Sequence, residues 1–157
     1  MRWIWIDRII ELDKGQRCVA IKNISLAEDV LHDHYGVMPN TLIIEGMAQT
    51  AGILVGHARE FAEKVILAKI GKATFKAVGE PGKTLRYTAE LDRIDESGAS
   101  TTGVVELIDP VTGEAELLAE INLMFSHIDQ NRAGLEFPEH NFVFTGPLMD
   151  LMKSMGV

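Results

Sequence analysis

The chain has 157 residues, 46% of them hydrophobic, a single cysteine and a formal net charge of −8. That length suits one domain with a real core, and the acidic balance argues against nucleic acid as a partner. No apolar run reaches the ~18 residues of a membrane span, and Cys18 alone excludes an intrachain disulfide, which fits a reducing, cytoplasmic setting.

Residues 1–11 scatter Arg2, Asp7 and Arg8 among apolar residues, unlike a signal peptide. Residues 3–12 and 17–24 read as strands, with Asp13-Lys14-Gly15 supplying the turn between them. Residues 25–35 are polar, carry His32 and His34, and read as a loop or short helix. Asn40 or Thr41 can cap a helix that runs to about Glu63, a length of about 34 Å. Leu42, Ile43, Ile44, Met47, Ile53, Leu54 and Val55 make that helix apolar nearly all round, the mark of a buried helix. Its glycines and alanines keep it thin, and after Gly56 it turns amphiphilic and is expected to reach solvent.

Strand patterns follow at 65–70, 73–78, 84–94, 99–108 and 115–128, separated by turn signals at 80–83, 95–98 and 109–113. Short connections between long strands predict antiparallel hairpins. One buried helix with such a sheet gives an α+β architecture in which the sheet curls around the helix. Residues 130–144 read as irregular, and Pro147 can start a last short helix. There Leu148, Leu151, Met152 and Met155 share one face, expected to pack on the protein's own core or a sister subunit, or to cover a ligand channel.

The most informative stretch is 33–49. A His-bearing loop ending at Pro39 runs into an apolar helix that carries Glu45 and Gln49 one turn apart. A carboxyl group in apolar surroundings tends to keep its proton, and a protonated acid near an imidazole is a proton-transfer pair. The plainer reading makes Glu45 a structural carboxylate paired with Arg or Lys, Gln49 a helix-packing residue and the histidines idle. His32 and His34 also form a His-x-His pair, but no third ligand accompanies them and no metal is expected. Between residues 64 and 87, Lys64, Lys69, Lys72, Lys76, Lys83 and Arg86 face Glu80 alone. This segment is either a solvated strand edge or a patch that steers an acidic partner.

Three stretches together resemble the 3-hydroxyacyl-[acyl-carrier-protein] dehydratases of fatty acid synthesis, the FabA/FabZ type with the hot-dog fold. Asp7-Arg8-Ile9 with residues 19–25 looks like the opening hairpin. Met38-Pro39 through Gln49 looks like the active-site helix, and Lys72-Ala73-Thr74-Phe75-Lys76 with Pro81-Gly82-Lys83 looks like the following strand and turn. The likeness spans about residues 3–128 of a single domain, with 129–157 as an addition. It implies an antiparallel sheet wrapped around one long helix, no cofactor, and at least a homodimer. Each site in the family takes its His from one chain and its acid from the other. The implied substrate is a β-hydroxyacyl thioester, carried on acidic acyl carrier protein.

By that resemblance His34 is the base and Glu45 the acid, and Glu in place of Asp points to the FabZ branch. The family pattern before the helix is His-Phe-Pro-x-x-Pro-x-x-Pro-Gly. Here Tyr35-Gly36 replaces a longer Pro-rich piece, so His34 lies eleven residues before Glu45 and His32 thirteen, which makes His32 the alternative base. Asn40 stands where the family has Gly, at a backbone N–H that binds the thioester oxygen. The helix N-terminus near Asn40 would then stabilise the enolate, and Gln49 would orient the carboxyl group or a water. Gly52 and Gly56 would leave room for the acyl chain, and Lys64, Lys69, Lys72 and Lys76 would dock the carrier. Two rival readings are an acyl-thioester hydrolase on the same fold, which needs no His34, and a non-catalytic acyl-binding subunit.

Overall fold

The computed structural model describes residues 3–128, 143–144 and 146–154. The chain enters through β1 (Arg8–Asp13) and β2 (Arg17–Asn23), which pair antiparallel across the turn at Gly15, where φ is +69°. Residues 3–7 are not strand, contrary to expectation. The Trp3 carbonyl and the Trp5 N–H turn instead to Gln49 on the central helix, while the Asp7 N–H donates to the Ile21 carbonyl at 2.7 Å. Lys22, 7% exposed, bonds Asp7 and Glu28 and so ties this hairpin to the short α1 (Asp29–His32).

The central helix α2 (Asn40–Ala58) has Pro39 as its N-cap, so neither Asn40 nor Thr41 caps it. It ends about five residues earlier than expected. Glu60 and Phe61 both take left-handed backbone, at φ +56° and +55°, and the Phe61 N–H donates back to the Gly56 carbonyl at 2.8 Å. This closes the last turn with non-glycine residues, which a reading based on glycine stops misses. Nineteen residues make the helix about 28 Å long. Ten of them are buried, spread round the circumference as an all-apolar helix requires.

After α2 the chain forms β3 (Val65–Phe75), one strand where two were expected. Register shifts between Leu67 and Lys69 and between Ile70 and Lys72 absorb the irregular pattern around Gly71. Then follow β4 (Thr84–Ile94), β5 (Gly98–Ile108) and β6 (Ala115–His127), all within a residue or so of their predicted limits. Alternation explains them. Leu85, Tyr87 and Ala89 on β4, and Ala99, Thr101, Val105 and Leu107 on β5, are buried while their neighbours are not.

The strands form one antiparallel sheet in the order β1-β2-β4-β5-β6-β3. The β3–β4 connection is therefore not a hairpin, although the Pro81-Gly82 turn suggested one. β3 pairs with β6 at one edge, and β4 returns to pair with β2. The sheet curls around α2, which touches all six strands, in a hot-dog fold. Among the described residues no helix is long and apolar enough to cross a membrane. The last element, α3 (Pro147–Ser154), packs Met152 into the core, with Leu148, Met149 and Leu151 partly buried against it. Met155 lies outside the described residues.

Candidate active site

Glu45 sits on the second turn of α2, half-buried on a helix whose other faces are packed against the sheet. Gln49, one turn later, holds it. Gln49 Nε2 donates to Glu45 Oε1 at 2.9 Å and to the Trp3 carbonyl at 3.2 Å, and Gln49 Oε1 accepts from the Trp5 N–H at 2.8 Å. One amide thus uses both its ends, and residues 3–5 are laid along the helix instead of joining β1. Glu45 makes no ion pair with Lys or Arg among the described residues. Its one side-chain partner among the described residues is the Gln49 amide.

The backbone around Glu45 is tightly packed on its inner side. A Cβ on Gly46 would stand 2.5 Å from Tyr87 Cζ and Oη, so β4 and the helix approach closely there. Burial pushes the Tyr87 phenol up from its ordinary value, with the charges of Asp7 and Glu28 adding to the effect. Tyr87 therefore stays neutral beneath the helix and acts as packing.

On its outer side Glu45 opens into a cavity of about 420 Å³. Ala48, Gln49 and Gly52 continue the α2 wall, Trp3 and Ile4 form one side, and residues 65–67 of β3 with Phe125 of β6 form another. Val143, Phe144 and Leu148 close it from the C-terminal segment. The walls are mainly apolar, with Glu45 and Gln49 as the polar groups, the composition of a site for an apolar chain with one reactive end. The sequence alone does not reveal the roles of Trp3, Trp5, Phe125 and Phe144. They come from elements far apart in the chain and carry no local motif.

Two of the expected groups lie elsewhere. His34 and His32 are both exposed, and neither lines this cavity. They belong to a surface turn in which Tyr35 and Gly36 have φ +55° and +75°, and the Gly36 N–H donates to the Leu31 carbonyl at 3.0 Å. Tyr35 is wholly exposed, and its left-handed backbone is uncommon for a non-glycine residue. The turn is anchored by Met38, 2% exposed, whose N–H donates to the Gly79 carbonyl at 2.9 Å. No cluster of three His, Cys, Asp or Glu placed to hold a metal ion occurs among the described residues.

At the start of α2 the N–H groups of Asn40 and Thr41 have no acceptor among the described residues, as the first turn of a helix dictates. The basic segment divides. Lys64 is 9% exposed and so drops out of any surface patch. Lys69 is exposed, and Lys72 and Lys76 lie 4.0 and 3.8 Å from Glu120 on β6. The room expected at Gly56 is not open. Phe144 and Phe61 fill it. Of the remaining histidines, His127 places Nδ1 2.8 Å from Glu63 Oε2 in a buried pair, and His140 lies outside the described residues.

The family model for the FabA-like domain matches residues 3–115. The chain is 37% identical over 120 residues to the 3-hydroxyacyl-[acyl-carrier-protein] dehydratase FabZ of Caldanaerobacter subterraneus subsp. tengcongensis, covering 74% of this chain and 85% of that one. This chain belongs to the FabA/FabZ family. Its fold is also shared by more distant proteins. A thioesterase family protein from Silicibacter pomeroyi superposes with a TM-score of 0.66 at 16% identity, covering 77% of this chain and 83% of that one. A mutant acyl-CoA hydrolase from Staphylococcus aureus, in complex with coenzyme A, superposes with a TM-score of 0.63 at 16% identity, covering 73% of this chain and 66% of that one. At that identity the likeness concerns the fold alone. The family model leaves residues 116–157 of this chain unmatched.

Proposed function

We propose that the protein dehydrates (3R)-3-hydroxyacyl thioesters to trans-2-enoyl thioesters and water in fatty acid synthesis. The observation that carries this is Glu45, held by Gln49 at the mouth of an apolar cavity. The reaction needs a base for the proton next to the thioester carbonyl, an acid for the departing hydroxyl, and a donor for the enolate oxygen. The His34 imidazole takes the α-proton. The C–O bond then breaks as Glu45 gives its proton to the leaving hydroxyl, which departs as water. The free N–H groups at Asn40 and Thr41, at the positive end of the α2 dipole, receive the developing enolate oxygen. Solvent returns the proton from His34 to Glu45.

A second copy of the chain completes this site. His34 is exposed and does not line its own chain's Glu45 cavity, on a turn whose Tyr35 is uncovered. β3 is a long open edge on which Leu67 and Ile70 are 38% and 45% exposed, a surface that natural sheets cover or pair. A homodimer supplies the imidazole to each cavity from the other subunit. Acyl carrier protein as the acyl donor is supported by the relatives' names and by exposed Lys69, Lys72 and Lys76. Cys18, buried and unpaired, suits the reducing cytoplasm.

Hydration of crotonyl thioester, the reverse reaction, tests the reading in wild type, Glu45→Gln and His34→Ala. Collapse of turnover in both variants is the expected result. Thiol release that persists in His34→Ala would replace dehydration by thioester hydrolysis. An inactive wild type that still binds acyl thioester would make the chain a binding subunit.

A further inference from the structure

We propose that Phe144 ends the acyl cavity at Gly52 and so limits the length of acyl chain the enzyme accepts. The proposal rests on the dehydratase reading for the identity of the ligand. Glu45, Gln49, Gly52 and Gly56 follow one face of α2 at helical spacing. An acyl chain whose reactive end lies at Glu45 therefore runs along this face toward Gly56. The two glycines differ in what stands before them. At Gly52 a Cβ would meet only Phe125 Cε1 at 3.7 Å, an ordinary contact, and the space in front is part of the cavity. At Gly56 a Cβ would lie 2.6 Å from Phe144 Cζ and 2.8 Å from Phe61 Cδ1. The face is open for one stretch and blocked one turn later.

Phe144 is built in as a wall. It is 5% exposed and meets the Phe61 ring edge-on, with centroids 5.0 Å apart and planes at 70°. It lines the same cavity as Glu45. The family match ends at residue 115, so this wall comes from the segment that lies beyond the matched residues. The turn of helix from Gly52 to Gly56 is about 6 Å, room for roughly four methylene groups. Each methylene that finds an apolar pocket is worth about fourfold in affinity. Removing the ring therefore extends the accepted chain by a few carbons and leaves the acid at Glu45 in place.

The test compares wild type, Phe144→Ala, Phe144→Leu and Gly52→Leu. Hydration is measured on trans-2-enoyl pantetheine thioesters of four, eight and twelve carbons. Binding of saturated acyl-pantetheine amides of the same lengths is followed through the fluorescence of Trp3, which lines the cavity. Wild type is expected to lose kcat/KM and affinity at twelve carbons. Phe144→Ala should raise the twelve-to-four ratio about tenfold or more, Phe144→Leu less, and Gly52→Leu should lower the eight-to-four ratio. A folded Phe144→Ala or Phe144→Leu with the wild-type length profile in turnover and binding would overturn the proposal. Absence of turnover throughout, with a binding limit that still shifts in Phe144→Ala, would refute dehydration and leave the role of Phe144 standing.

Discussion

Gln49 donates to Glu45 Oε1 at 2.9 Å with the same amide whose oxygen accepts from the Trp5 N–H at 2.8 Å. The acid and the path of the N-terminal segment are therefore set by one side chain. Gln49→Ala should lower kcat/KM by about 10- to 100-fold and destabilise the fold by about 1–3 kcal/mol, because the Trp5 N–H loses its acceptor. Gln49→Glu separates the two effects. It keeps an acceptor for Trp5 but sets a carboxylate beside Glu45, so stability should fall less than in Gln49→Ala while the rate falls at least as far. Urea unfolding and crotonyl-thioester hydration on the same preparations read both. Equal rates in wild type and Gln49→Ala would make the contact to Glu45 irrelevant to catalysis.

Two glycines on α2 should respond oppositely to alanine. At Gly46 the new Cβ would stand 2.5 Å from the Tyr87 ring and 2.9 Å from the Trp5 carbonyl, in a packed interior. Overpacking of this kind costs about 1–3 kcal/mol. At Gly52 the same methyl meets one ring carbon at 3.7 Å, and alanine is the better helix former by about 1 kcal/mol. Gly46→Ala should lower the unfolding midpoint and Gly52→Ala should raise it. A rise in both would mean that helix propensity governs them, and a fall in both would mean that Gly52 has less room than its 3.7 Å contact indicates.

The parts of the fold legible in the sequence were those governed by local pattern. β4, β5 and β6 showed their alternation and turn residues directly, and α2 showed a length of apolar residues that only a buried helix explains. Where the reading failed, either a contact between distant segments or an unadvertised backbone conformation had decided. Residues 3–6 have strand-forming side chains, but Gln49 takes the Trp3 carbonyl and the Trp5 N–H. The end of α2 depends on left-handed Glu60 and Phe61, a conformation their side chains do not advertise. Gly56 looked like open space because the residue that fills it, Phe144, lies in a segment with no recognisable pattern. Glu45 and Gln49 were legible as a pair because their spacing is a helical one. His34 was legible as a loop residue, and its absence from the Glu45 cavity was not, because spacing along the chain does not encode how a surface turn sits against a distant helix face.

Cys18 gives an alkaline signature. Its thiol is wholly buried on β2, and burial first, with the Glu11 charge second, pushes its pKa from 9.0 up to about 12. Below pH 9 the thiol is protonated in both folded and unfolded chains and contributes nothing to pH dependence. Between pH 9 and about 12 the unfolded chain releases the proton and the folded one keeps it, so stability falls as pH rises. The full difference is about 4 kcal/mol. Cys18→Ala should therefore flatten the decline in unfolding free energy between pH 8.5 and 11, whatever its effect at neutral pH. Parallel curves for the two proteins would show that the buried thiol is not the group responsible. The native thiol should also resist alkylation until the chain unfolds.

A site shared between two subunits, as proposed, makes a prediction that a self-contained one does not. If His34 serves the Glu45 of another subunit, His34→Ala and Glu45→Gln chains damage complementary halves of each site. In a mixed dimer one site combines both lesions and is dead. The other combines an intact His34 with an intact Glu45. Equal amounts of the two inactive variants, unfolded together and refolded, should yield about half mixed dimers with one working site each. That is about a quarter of wild-type turnover, and the same variants refolded separately and then mixed should recover less. Recovery should also require that the pair assemble, so a charge placed on the open β3 edge, as in Ile70→Lys, should abolish it if that edge is the contact. Failure of co-refolded variants to regain activity, with mixed dimers demonstrably present, would place base and acid in the same chain. The exposed His34 turn would then have to close over its own cavity, against the position it holds in this structure.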